Sequence, residues 1–70
     1  DNAMKLTYSY FPAKECGYIG YWNDYPDHYT QGETLQELKY MLRDLRKCIN
    51  EMIADGTWTE KPKLVGYMVI

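Results

Sequence analysis

GYIGYWNDYPDHYTQGETLQEL, residues 17 to 38, decides the fold of this chain. From Gly17 to Trp22, Tyr18, Gly20 and Trp22 alternate with Ile19 and Tyr21. Aromatic and β-branched residues at a period of two read as a strand. Asn23-Asp24-Tyr25-Pro26-Asp27 supplies a turn, and a short strand follows at about His28 to Gln31. Gly32 then releases the chain into Thr34-Leu35-Gln36-Glu37, the pattern of a capping box. Its Thr34 hydroxyl is expected to accept from the Glu37 amide, and the Glu37 carboxylate to return to the Thr34 amide.

Outward toward the start, Lys5 to Phe11 alternates again, with Leu6, Tyr8 and Tyr10 on one face and Lys5, Thr7 and Ser9 on the other. Pro12 ends this strand and Pro-Ala-Lys-Glu-Cys-Gly turns the chain. Connections this short favour antiparallel neighbours, so the three strands form a meander. Outward toward the end, Leu35, Leu38, Leu42, Leu45, Ile49, Met52 and Ile53 recur at steps of three and four, with Met41 and Cys48 beside them. That is the apolar stripe of one amphipathic helix about 30 Å long, stopped by Asp55-Gly56. After a loop through Trp58 and Pro62, Lys63 to Ile70 reads as a last strand, nearly all apolar and so buried on both faces or at an interface. The expected class is α+β in the order β-β-β-α-β. One helix covers one face of the sheet, yet tyrosines and apolar residues point to both. A second copy of the chain is the simplest cover for the rest.

Seventy residues, 46% of them hydrophobic, make one small domain. A chain this short buries only ~60% of the surface its unfolded form exposes, so a homodimer or higher oligomer is an expected source of stability. No run approaches the ~20 apolar residues of a membrane span, and the start lacks a secretory signal. Met4 reads as the natural initiator, with residues 1–3 a cloning remnant and 4–70 the domain. Cys16 and Cys48 stand far apart with no His or Cys near either, the pattern of free thiols in a reducing cytoplasm. Neither a zinc site nor any other cofactor is expected from two Cys and one His at such spacings.

Net charge is −2, which attracts no nucleic acid, and its distribution is more telling than its sum. Glu15, Asp24, Asp27, Glu33 and Glu37 fall within residues 15 to 38, a stretch with no Lys or Arg. Tyr8, Tyr10, Tyr18, Tyr21, Trp22, Tyr25 and Tyr29 crowd the same region. Stacking on single-stranded nucleic acid needs such rings beside a basic groove, and the groove is missing. Tyr and Trp are enriched at protein–protein interfaces, where an acidic rim selects a basic partner. Core packing accounts for some of the rings but not comfortably for all of them. His28 has no evident nucleophile or motif to pair with, and reads as an ordinary, partly exposed strand histidine. Gly32 and Thr34 read as a structural turn, since Glu33 and Glu37 would repel an anion there.

The order of parts, and Gly17, Tyr18, Asp24, Pro26, Thr30, Gln31, Gly32, Thr34 and Glu37 within it, resembles the N-terminal domain of HicB-type antitoxins. Asn23, Asp27 and His28 stand where that family has Pro, Gly and often Cys. The resemblance implies a truncated ribonuclease-H-like fold and a task of binding and inhibiting a small, basic, RNA-cleaving HicA-type toxin. Ribonuclease-H-like nucleases hold two metal ions on carboxylates of the first strand, helix and fourth strand. KLTYSYF and KLVGYMVI contain no Asp or Glu, so neither a metal site nor catalysis is expected. Charge and exposure nominate Tyr21, Trp22, Asp24, Tyr25 and Asp27 as partner contacts. Many relatives of that kind continue into a DNA-binding segment; this chain stops at Ile70, so it is not expected to bind DNA directly. The alternative expectations are a solitary homo-oligomeric scaffold or ligand-binding domain, and a residual metal-dependent nuclease.

Overall fold

The computed structural model describes residues 5–59 and 64–70. The expected initiator and leading remnant, and the expected loop at Pro62 and strand start at Lys63, lie outside the described residues. β1 (Tyr8–Pro12), β2 (Tyr18–Trp22) and β3 (Tyr29–Gly32) form an antiparallel sheet in the order β1-β2-β3, followed by α1 (Leu35–Asp55). Tyr10 stands opposite Gly20, and Gly20 opposite Thr30. This register keeps the two sequence parities on separate faces. Tyr8, Tyr10, Tyr18, Gly20, Trp22, Thr30 and Gly32 share the helix side, while Ser9, Phe11, Ile19, Tyr21, Tyr29 and Gln31 share the other.

The helix packs on β2 and β3 and leaves β1 uncovered. Leu38, Leu42 and Ile49 are its fully buried side chains, at i, i+4 and i+11 of one stripe. Each contributes roughly 1.5–3 kcal/mol by leaving water. Leu38 reaches the sheet because glycines lie beneath it: a Cβ on Gly20 would sit 3.2 Å from a Leu38 methyl. At Gly32 the approach is backbone to backbone, and a Cβ there would fall 2.5 Å from the Leu38 nitrogen. The helix therefore starts pressed against the end of β3, a distance only glycine permits.

Both helix ends are capped, one with a shift from expectation. The Thr34 hydroxyl accepts from the Glu37 amide at 3.0 Å, but the Glu37 carboxylate accepts from the Glu33 amide at 2.8 Å rather than from Thr34. The carboxylate so reaches one residue further back, to a donor freed by the sharp turn after Gly32. At the other end Gly56, at φ 79°, adopts the left-handed cap, and the Thr57 amide donates to the Met52 carbonyl at 2.9 Å.

The expected last strand is not formed within the single chain. Residues 64–70 have no regular secondary structure and pair with no strand. Leu64, Val65, Tyr67, Met68, Val69 and Ile70 are all at least 84% exposed. An apolar, β-favouring segment becomes a strand only when an edge accepts its backbone, and here none does. The radius of gyration, 14.9 Å, exceeds the ~11 Å of a compact chain of this length. No helix among the described residues is long and apolar enough to cross a membrane.

Candidate functional site

The two sides of the sheet place the expected contact residues differently. Tyr21 and Trp22 are neighbours in one strand and so face opposite ways. Trp22 turns to the helix, where its indole N–H donates to the Leu42 carbonyl at 2.8 Å. The Tyr8 ring meets it edge-on, centroids 5.8 Å apart. The turn after Trp22 is closed by the Tyr25 amide on the Trp22 carbonyl, at 2.9 Å. This turn carries Asp24 to Arg46, which donates to both carboxylate oxygens at 2.8 Å. The same guanidinium lies 5.5 Å from the Trp22 ring and 5.3 Å from that of Tyr25. Tyr25 in turn packs edge-on against Trp58, which also touches the ring of His28. Trp22, Asp24 and Tyr25 are thus engaged in tying the turn to the middle of α1. With Asp24 still half exposed, the ion pair contributes at most about 1 kcal/mol.

Tyr21 belongs to a different surface. Phe11, Ile19, Tyr21, Pro26 and Tyr29 line a shallow, open hollow of about 270 Å³ on the helix-free face. Phe11 is 47% and Tyr29 70% exposed. Pro26 brings the turn to the rim of the hollow, and Asp27, exposed, follows it directly. Asp27 has no ion-pair partner among the described residues, whereas Asp24 does. Beside the hollow the strands are fastened by a polar trio. Ser9 donates to the Asn23 side-chain oxygen at 2.6 Å, and the Asn23 amide donates to the Thr7 hydroxyl at 2.9 Å. Asn23, one of the departures from the antitoxin pattern, so acts as a clasp between β1 and the turn.

Of the five nominated residues, Tyr21 lines this hollow, and Asp27 follows the lining residue Pro26 in sequence. Phe11, Ile19, Pro26 and Tyr29 were not nominated; for Phe11, Ile19 and Tyr29 the signal was the strand parity shared with Tyr21, whereas Pro26 reaches the hollow from the turn. The acidic stretch is itself divided. Glu15, Glu33 and Glu37 line a wide basin of about 790 Å³ at the end where α1 begins, and Asp24 and Asp27 lie in the turn between β2 and β3. In that basin Glu37 is occupied as a cap. Cys16 and Cys48 are free and exposed. No three His, Cys, Asp or Glu side chains gather as metal ligands among the described residues. Among the described residues the one clear displacement of a titrating group is at Asp55, whose carboxyl is held below its ordinary range by the Thr57 hydroxyl and then the Thr57 amide. It caps the helix end and is remote from the hollow in sequence and role.

No family model, no curated protein and no solved structure matches this chain.

Proposed function

We propose that this chain is a protein-binding module of the HicB antitoxin type, which neutralises a small, basic, RNA-cleaving HicA-type toxin and has no catalytic activity of its own. The observation that carries the reading is the bare sheet face. It offers Phe11, Ile19, Tyr21, Pro26 and Tyr29 in one hollow, with exposed Asp27 directly after Pro26 and no Lys or Arg between residues 15 and 38. An apolar aromatic centre with an acidic margin suits a partner whose own contact surface is cationic and RNA-binding. The rings desolvate the centre while carboxylates at the rim steer and select the basic surface. Tyr21 and Asp27 make the contacts. Trp22, Asp24 and Tyr25 hold the turn that presents them.

In this reading residues 64–70 complete the sheet as a fourth strand on β1, giving the truncated ribonuclease-H-like order β-β-β-α-β. The exposed arm also favours a second reading, a solitary homo-oligomeric scaffold whose bare surfaces are met only by copies of itself.

Co-purification with a HicA-type toxin separates the two. The antitoxin reading predicts a stable complex that loses at least tenfold in affinity with Tyr21→Ser or with Asp27→Lys, and protection of RNA from the toxin. Absence of any complex with such toxins, alongside a stable homo-oligomer, supports the scaffold instead.

A further inference from the structure

The antiparallel ladder determines which backbone groups β1 leaves open. The Asn23 amide donates to the Thr7 carbonyl and the Ala13 amide to the Gly17 carbonyl, so the odd-numbered residues of β1 spend their amides and carbonyls on β2. Tyr8 and Tyr10 therefore point theirs outward, and Pro12, which has no N–H, occupies the next outward position. Among the described residues no strand covers this edge. Between β1 and the helix beside it runs a groove of about 280 Å³ lined by Tyr8, Trp22, Lys39, Leu42 and Arg43. An open edge with an adjoining groove is a receptor for one more strand: backbone pairs along the edge, and alternate side chains enter the groove.

The chain carries one segment built for such a receptor, Leu64-Val65-Gly66-Tyr67-Met68-Val69-Ile70. It is uncharged, rich in β-branched and aromatic residues, and exposed along its length. It is exposed and unpaired, and does not lie on its own β1. Each copy thus has a vacant β1 edge and an unpaired arm, and both are satisfied when two copies trade arms about a two-fold axis. Exchange takes both exposed arms, with the edges and grooves they cover, out of water, the kind of burial a stable interface requires. The three-residue buried core of the single chain gives this added burial particular weight.

We infer that the protein is an arm-exchanged homodimer in which residues 64–70 of each copy add to the β1 edge of the other. The inference rests on the fourth-strand reading above but not on the identity of any toxin. The helix-free hollow at Tyr21 stays open in such a dimer, because the arm adds beyond β1 and the hollow lies across β1, β2 and β3.

Cross-linking between differently marked copies tests it. Two full-length chains, both carrying Cys16→Ser and Cys48→Ser, receive Tyr10→Cys in one and Tyr67→Cys in the other. They are unfolded together, refolded and oxidised. Arm exchange predicts a disulfide-linked pair containing one chain of each kind, and a dimer mass in sedimentation that Met68→Pro converts to monomer with the helical circular dichroism retained. A chain bearing both cysteines that closes only on itself, with no mixed pair, overturns exchange and leaves the fourth strand in place. No cross-link in either arrangement, or a dimer that Met68→Pro leaves intact, overturns exchange and the fourth strand together.

Discussion

The helix-covered and helix-free faces of this sheet are made from alternate residues of the same strands, yet they are built to different ends. On the covered side, the small residues Gly20 and Gly32 let Leu38 settle onto the backbone, and Trp22 anchors to the helix through its indole. On the free side, residues one position away, Ile19 and Tyr21, stand in an open hollow with Phe11, Pro26 and Tyr29. The first face stores the stability of the domain. The second exposes aromatic surface that folding alone does not use, which is why it is the better candidate for binding.

That contrast breaks first at Gly32. Gly32→Ala places a methyl against the Leu38 backbone, which cannot swing aside as a side chain would. The expected loss is about 3 kcal/mol or more, read as a fall in the urea midpoint or as failure to fold. Leu38→Ala, at a fully buried position, is expected to cost ~3 kcal/mol in the same assay. Trp22→Phe keeps the ring packing and removes only the donor to Leu42, so a loss of about 1 kcal/mol follows. Substitution on the other face should behave in the opposite sense. Tyr29→Ser, at a 70% exposed ring, is expected to move stability by less than ~0.5 kcal/mol while weakening partner binding at least tenfold. A large unfolding effect at Tyr29, or none on binding, would erase the distinction between the faces.

The smallest effect lies in the helix cap, away from both faces. Asp55 has its carboxyl pulled below the ordinary 3.8 by the Thr57 hydroxyl and amide, which favour the charged form. A depressed folded value means the contribution is full above that ordinary value and fades as pH falls through the lower one. Asp55→Asn should therefore flatten acid unfolding slightly in that range and leave the neutral-pH profile nearly unchanged, as followed by helical circular dichroism against pH.

The alternation that separates the two faces was plain in the sequence. Tyr18, Gly20 and Trp22 against Ile19 and Tyr21 is a local pattern, and a regular strand has little freedom to violate it. The helix and its ends were equally legible, because Thr34, Glu37 and Gly56 act within a few residues of themselves; only the donor met by Glu37 moved, by one position. The candidate site was half legible. Naming Tyr21 and Trp22 together as contacts overlooked their opposite directions, and Arg46 could not be assigned to Asp24 without knowing where the helix crosses the sheet. Residues 64–70 show the firmest limit. Their composition states that they favour a strand, but a strand needs an edge, and the identity of that edge is a long-range property that no local pattern records.

The most direct test of the binding face is amide chemical-shift mapping of the full chain titrated with a HicA-type toxin. The account predicts that the largest changes gather at Phe11, Ile19, Tyr21, Asp27 and Tyr29, leaving Leu38, Leu42 and Ile49 nearly still. Binding that instead perturbs the helix side around Lys39 and Arg43, with the hollow unchanged, would contradict it.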